Sequence, residues 1–174
     1  MALDTAPNPV RAAKREAAAY RHGEHRPLGA YAGIMAANAS LLAAAAVAFK
    51  KSGKGPPAPL SAGDVVLTSI ATHRIARLVS KDTITSPLRA PFARYEGPGA
   101  PAEVNEEVRG RGWRKAIGEL VTCPFCTGEW IATSFAVGWL FAPRATRFIA
   151  TMWGCLGIAD AMQFGYAALE KASK

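Results

Sequence analysis

The sequence predicts an all-α membrane protein with about four transmembrane helices, both termini in the cytoplasm and one polar cytoplasmic loop. Three observations lead to this prediction. Half of the 174 residues are hydrophobic but only 9% are aromatic, and the many alanines favour helices over sheets. Residues 27–49 carry no charge, and two further apolar stretches lie towards the C-terminus. The net charge of +8 is carried mainly between these apolar segments.

The N-terminal part is predicted to be a basic tail followed by a membrane-spanning helix. Residues 1–26 form the cytoplasmic tail, either as a helix on the bilayer surface or without regular structure. Residues 27–49 form the first transmembrane helix, because 23 helical residues at ~1.5 Å each cross a hydrocarbon core of ~30 Å. A cleaved signal peptide is the alternative, but the polar lead is long and the apolar run exceeds the usual signal-peptide core.

Residues 62–170 are predicted to form the main membrane domain. After a first helix, the polar segment 81–122 is broken by proline and glycine and is expected to be a cytoplasmic loop that includes a short amphipathic helix. Helices over 124–142 and 146–169 are joined by a short link, so we expect an antiparallel helical hairpin.

The helix over 64–80 decides how many times the chain crosses the bilayer. It is apolar up to His73 and carries Arg74 and Arg77 near its end. It either spans, with the arginines reaching towards the interface, or lies in the plane of the interface. If it spans, sixteen of the 21 Lys and Arg residues lie on the cytoplasmic side, as the positive-inside rule requires.

The same distribution of charge identifies the expected partners. The basic residues are scattered and form no zinc finger, RNA-binding strand motif or helix-turn-helix pattern, so no nucleic-acid partner is predicted. The lipid bilayer, with anionic head groups at the basic side, is the expected partner.

The most specific local motif is Cys123-Pro-Phe-Cys126. Pro124 suits the first position of a helix, which makes Cys123 the capping residue. Thiols at the positive end of a helix tend towards the thiolate, so the pair is a candidate redox or metal site. A zinc site would need further ligands, for which only His73 or Cys155 are candidates, and no cofactor is predicted. The favoured interpretation is that both cysteines simply pack where the helix begins.

Charged residues inside the apolar segments are predicted to form an intramembrane ionic cluster of Arg74, Arg77, Glu129 and Asp160. We expect Asp160 to face Arg74 or Arg77. The functional interpretation is a proton or ion relay, and the structural one, which we favour, is an ion pair between helices.

Small residues in the last helix recur at spacings of three and four, which predicts one face for close helix packing. These residues are Ala150, Gly154, Gly157, Ala161 and Gly165.

The segment ATHRIARLVSKDTITSPLRAPF, followed by ELVTCPFCTGEW and a hydrophobic hairpin, resembles a known family. It is the uncharacterised bacterial integral-membrane family called domain-of-unknown-function family 1360, some of whose members are labelled sporulation proteins. The resemblance covers residues 62–170. Besides Arg74, Arg77 and the two cysteines, the matching positions are Asp82, Arg89, Gly128 and Trp130. The resemblance implies a membrane location and no established activity.

We therefore predict a multi-pass protein of the cell membrane that acts as a structural, assembly or anchoring component and not as an enzyme. A protein partner or a second copy of the chain is expected to bind the loop 81–122. The alternative is a membrane thiol-redox or metal-handling protein that uses Cys123 and Cys126. A weaker alternative is a small transporter or channel subunit that uses Asp160 and Glu129.

Overall fold

The computed structural model describes residues 8–55 and 57–173. It contains seven α-helices, a short 3₁₀ turn and one two-stranded sheet in these residues. Their order is α1 (Pro9–Arg21), α2 (Leu28–Lys51), α3 (Ala62–Ser80), the 3₁₀ turn (Thr83–Thr85), α4 (Ser86–Arg89), β1 (Ala93–Pro98), β2 (Val104–Val108), α5 (Gly112–Thr122), α6 (Pro124–Phe141) and α7 (Pro143–Ala172).

Local sequence determines where the helices begin. Asn8 caps α1 by accepting a hydrogen bond from the Val10 backbone N–H, with Pro9 as the first helical residue. Ser61 and Asp64 form a reciprocal capping box at the start of α3. Cys123 caps α6 and is followed by Pro124, the position that the sequence predicted for both residues.

The helical core is built around α3, which packs mainly against α7 and α6. Its buried centre consists of Ala71, Phe135 and Ala150, and two of these three side chains are a single methyl group. Small residues at the centre allow the helix axes to approach closely. Trp139 and Trp153 pack against this centre from the side.

The predicted tail is largely helical where it is described. Residues 1–7 lie outside the described residues, and α1 occupies the middle of the remainder without burying any residue. The apolar helix predicted over 27–49 is α2, which ends two residues later, at Lys51.

The prediction of four transmembrane helices is wrong. Within residues 8–55 and 57–173, α2 alone is long and apolar enough to cross a membrane. A second crossing would require α5 and α6 to act as one broken span, although they are bent by 81°. The helices α3, α6 and α7 do not by themselves meet this condition, and α3 carries Asp64, Arg74 and Arg77. The expectation of a multi-pass protein is therefore not supported.

The all-α prediction also fails in the segment 81–122, where β1 and β2 form an antiparallel hairpin. Along β2, Val104 is buried and Glu106 is partly buried, whereas Asn105 and Glu107 are exposed. This alternation is the pattern of a strand with one covered face. A bulge between Tyr95 and Gly97 interrupts the pairing, and residues 99–103 form the connection between the strands.

Candidate functional site

The most deeply buried charge in the described chain is the guanidinium of Arg89, whose side chain is completely inaccessible to solvent. It lies at the end of α4, where the chain turns towards β1. Its Nε donates to Glu106 Oε2 at 2.6 Å, and Glu106 itself is almost fully buried. This is a paired charge in a dry environment, which is stable only when its hydrogen bonds are satisfied.

The other donors of Arg89 bind the segment 79–86, which precedes the hairpin. Its Nη1 donates to the Val79 carbonyl oxygen and to Thr85 Oγ1, both at 2.7 Å. Its Nη2 donates to the Asp82 carbonyl oxygen at 3.0 Å and to Ser86 Oγ at 3.3 Å. Arg89 therefore connects the end of α3, the 3₁₀ turn, α4 and β2 through a single side chain.

Arg74 and Arg77 extend this arrangement from α3. Arg74 Nη2 donates to Asp82 Oδ2 at 2.9 Å, and Arg74 Nε makes an ion pair with Asp160 Oδ2 at 2.5 Å. Arg77 makes an ion pair with Glu103, next to the start of β2. The structure thus places Asp160 against Arg74, one of its two expected partners.

We call these residues the arginine network. Its members are Arg74, Arg77, Arg89, Asp82, Glu103, Glu106 and Asp160. Three guanidinium groups face four carboxylates, so each positive charge has an acidic partner. Five members were sequence-predicted positions, but Glu103 and Glu106 were missed because nothing in their local sequence marks them as partners of distant arginines.

Glu129 does not belong to this network, although the sequence analysis grouped it with Arg74, Arg77 and Asp160. It is exposed on α6 and lies instead along a groove between α2 and α6. Among the described residues, the ion pairs of Arg74, Arg77 and Asp160 do not include Glu129.

A further ion pair, outside the arginine network and not predicted from the sequence, joins the starts of α3 and α7. Arg147 donates from Nε to Asp64 Oδ1 at 2.7 Å and from Nη2 to Asp64 Oδ2 at 3.0 Å. Hydrogen bonds from Arg147 and then from Ser61 lower the pKa of the Asp64 carboxyl from 3.8 to about 2. The capping box marked Asp64 as a helix start, but its partner is 83 residues away.

Two ion pairs, Asp64–Arg147 and Arg74–Asp160, join α3 to α7. Between them the two helices run in the same direction in close contact. A Cβ atom placed on Gly154 would lie 3.0 Å from Leu67 Cδ2, and one on Gly157 would lie 2.7 Å from Ile70 Cγ2. Ala150 is buried in the core. The other two residues of the predicted packing face differ, because Ala161 is exposed and Gly165 has open space around it.

The two cysteines of the CxxC motif lie at the bend between α5 and α6. Both are free thiols; Cys123 is half-buried and Cys126 is exposed. The Cys126 backbone N–H donates to Cys123 Sγ at 3.4 Å. Of the other family positions in this motif, Gly128 faces Ala76 of α3, and Trp130 lies along the groove between α2 and α6.

The electrostatics of the two thiols differ. Burial acts to raise the pKa of Cys123, but hydrogen bonds from Cys126 and Phe125 and the charge of Lys81 outweigh it, so the pKa lies below its usual value. Burial and the neighbouring Cys123 raise the pKa of Cys126 to about 11. Cys123 is therefore the thiol that ionises first.

The groove beside Cys126 has a volume of about 700 Å³. One wall is α2 and the other comes from α5 and α6. Its apolar lining includes Ile34, Met35, Leu42, Leu120 and Trp130. Glu119 and Glu129 are the acidic residues along it, and the Tyr31 hydroxyl donates a hydrogen bond to Glu119.

The described residues contain no group of three or more His, Cys, Asp or Glu side chains that could hold a metal ion. In the described part of the chain, Cys123 and Cys126 therefore lack the further ligands that a tetrahedral zinc site needs.

Comparison with known proteins places these residues in a family. No solved structure matches the chain. The sporulation protein YjcA of Bacillus subtilis (strain 168) is 35% identical over 103 residues, which cover 57% of this chain and 86% of that protein. The profile of the family DUF1360, described as a protein of unknown function, matches residues 67–166. This region contains the arginine network and the CxxC motif, and the resemblance predicted from sequence is confirmed. The chain belongs to the DUF1360 family.

Proposed function

We propose that this protein is a membrane-anchored assembly component, held in the bilayer by α2 and presenting its hairpin to a protein partner. The observation that carries the proposal is α2 itself. It is a 24-residue apolar helix in which only 11% of the most apolar stretch is buried by the rest of the chain. An apolar helix that the fold does not cover is best accommodated by lipid.

The arginine network supports the structural part of the proposal. Each of its guanidinium groups pairs with a carboxylate, and that of Arg89 also donates to backbone carbonyl oxygens, whereas a catalytic site needs polar groups that remain available to a substrate. The network rigidifies the segment from Asp82 to Arg109, which we call the hairpin unit. This unit exposes Tyr95, an aromatic side chain of the kind that is frequent at protein interfaces.

The relative YjcA carries the description of a sporulation protein. We infer for this chain a role in the same process, with α2 as its anchor.

The anchor is tested by expressing the full chain, isolating membranes by flotation and washing them with alkaline carbonate. The wild-type chain should stay with the membranes. The double variant Leu41→Arg/Leu42→Arg should be extracted, because each arginine near the middle of a span costs roughly 2.5–3.5 kcal/mol. Both leucines are exposed on α2, so the fold tolerates the change. Ile84→Arg, at an exposed site in the hairpin unit, is the matched control and should float. Extraction of the wild-type chain would refute the anchor.

The assembly role is tested by placing a photo-crosslinking residue at Tyr95 or at Leu169, two exposed positions on the hairpin unit and on the end of α7. The proposal predicts a discrete crosslinked species from Tyr95 and none from Leu169. Equal yields from both positions, or none from Tyr95, would contradict it.

A further inference from the structure

We propose that Cys123 and Cys126 form a dithiol–disulfide couple that exchanges with small, apolar disulfides reaching it through the groove between α2 and α6. The pair lies at the bend where α5 ends and α6 begins, and both cysteines are free. Neither thiol takes part in the arginine network or in the hydrophobic core. This inference goes beyond the assembly role and does not depend on it.

The spacing and the backbone suit the formation of a disulfide. Cys123 has extended backbone dihedral angles as the capping residue, while Cys126 is in the first turn of α6. The 3.4 Å contact between the Cys126 N–H and Cys123 Sγ shows that the first sulfur already lies over this turn. Residues three apart at a helix start are close enough for a disulfide.

The environment also separates the roles of the two thiols. Cys123 faces helix N–H groups and the charge of Lys81, which stabilise its thiolate. Cys126 retains its proton, with a pKa raised to about 11. Cys123 is therefore the attacking sulfur and Cys126 the resolving one.

The groove determines the class of exchange partner. Cys126 is part of its lining, together with apolar side chains such as Met35 and Trp130. The attacking Cys123 lies next to this lining, with its Sγ 3.4 Å from the Cys126 backbone nitrogen. A volume of about 700 Å³ lies in the range of pockets that hold small molecules. Glu119, Glu129 and Arg26 line the same space, and Arg26 makes an ion pair with Glu119. The lining therefore keeps a net charge of −1 at Glu129, which disfavours an anionic partner. The partner that fits is a neutral or cationic apolar disulfide.

The reaction balances with a disulfide R–S–S–R as the oxidant. The Cys123 thiolate attacks one sulfur, which forms a mixed disulfide and releases the first RS⁻. Cys126 then loses its proton and attacks Cys123 Sγ, which releases the second RS⁻. Both leaving groups are protonated to RSH, so the chain loses two electrons and two protons while the oxidant gains them.

The test uses the full-length chain with Cys155→Ser, purified in mild detergent, reduced and treated with one equivalent of 2,2′-dipyridyl disulfide. We expect two pyridinethiones to be released per chain. The chain should become lighter by two hydrogens, retain no pyridyl group, and recover both thiols with dithiothreitol. With Cys126→Ser added, one pyridinethione is released and the pyridyl group stays attached. A pyridyl group retained on the chain with both cysteines would overturn the couple.

The role of the groove is tested separately, by comparing the rates at which two disulfide reagents oxidise the pair. The doubly anionic reagent 5,5′-dithiobis(2-nitrobenzoate) should oxidise the pair several-fold more slowly than dipyridyl disulfide. Rates at Cys155, measured in the Cys123→Ser/Cys126→Ser variant, correct for the intrinsic reactivity of each reagent, because Cys155 is an exposed thiol outside the groove. Equal corrected rates would overturn selection by the groove. Failure of either test leaves the flotation result unchanged, so the two proposals are distinguishable.

Discussion

The arginine network and the groove between α2 and α6 differ in whether their polar groups are paired or exposed. In the network, Arg89 is fully buried and its donors are all engaged by Glu106, backbone carbonyls and hydroxyls. Along the groove, the Cys126 thiol and the Glu129 carboxylate are exposed, and the cysteine pair is unoxidised. Groups that are completely paired hold a fold together, while groups left available are the ones that can react or bind. The structural role and the thiol chemistry that we propose for this protein thus belong to two different regions.

The largest expected effect in this comparison is at Arg89. Replacing it with Met leaves Glu106 buried without its partner and removes the link between α3, α4 and β2. We expect a loss of about 3–5 kcal/mol in the free energy of unfolding, measured by denaturant titration in detergent. Arg94→Met, at an exposed site on β1, should change it by less than about 0.5 kcal/mol. Equal effects at the two sites would show that the network is not the stabilising element.

A smaller effect is expected where α3 and α7 touch. Gly157→Ala introduces a Cβ atom 2.7 Å from Ile70 Cγ2, and this overpacking should cost about 1–3 kcal/mol in unfolding free energy. Gly165→Ala, on the same helix but in open space, should be neutral or stabilising by about 0.5–1 kcal/mol. If the clash is the cause, adding Ile70→Ala should reduce the additional cost of Gly157→Ala. An unchanged cost in that background would refute the clash.

The smallest effect, and the one that pH controls, is at the pair formed by Asp64 and Arg147. The pKa of Asp64 is lowered from 3.8 to about 2 in the folded chain, so the pair stabilises the fold fully above the unfolded value. This contribution is lost as the pH falls from about 4 to about 2, when the carboxyl becomes protonated. Thermal unfolding between pH 6 and pH 2 should show a fall in midpoint that is shallower in Asp64→Asn. Glu107→Gln, at an exposed site on β2, should follow the wild-type curve. An Asp64→Asn curve parallel to the wild type would argue against the pair.

Local signals in the sequence were sufficient for the helix starts and for the family. The proline after Cys123 and the uncharged run of α2 act within one or two helical turns, so their consequences can be read from neighbouring residues. The motif positions from Arg74 to Trp130 predicted the DUF1360 family, and the match over residues 67–166 confirms the family. These local signals do not specify how many of the helices span a membrane.

The count of four membrane spans failed for that reason. An apolar stretch is equally suited to lipid and to the interior of a helical bundle, and α3 uses its apolar residues against α6 and α7. The hairpin was missed because β1 and β2 are short, polar on their exposed face and interrupted by a bulge. Neither strand shows the apolar run by which a buried strand is recognised.

The sequence by itself therefore determined the helical character of the chain, the boundaries of α2, the capped CxxC turn and the family. Only the tertiary structure decided which charges meet. Arg89 pairs with Glu106 across 17 residues, and Asp64 pairs with Arg147 across 83. Ion pairs depend on distance in space, and a sequence records only distance along the chain. For the same reason, only the fold could separate Glu129 from Asp160 and place Cys126 on an open groove.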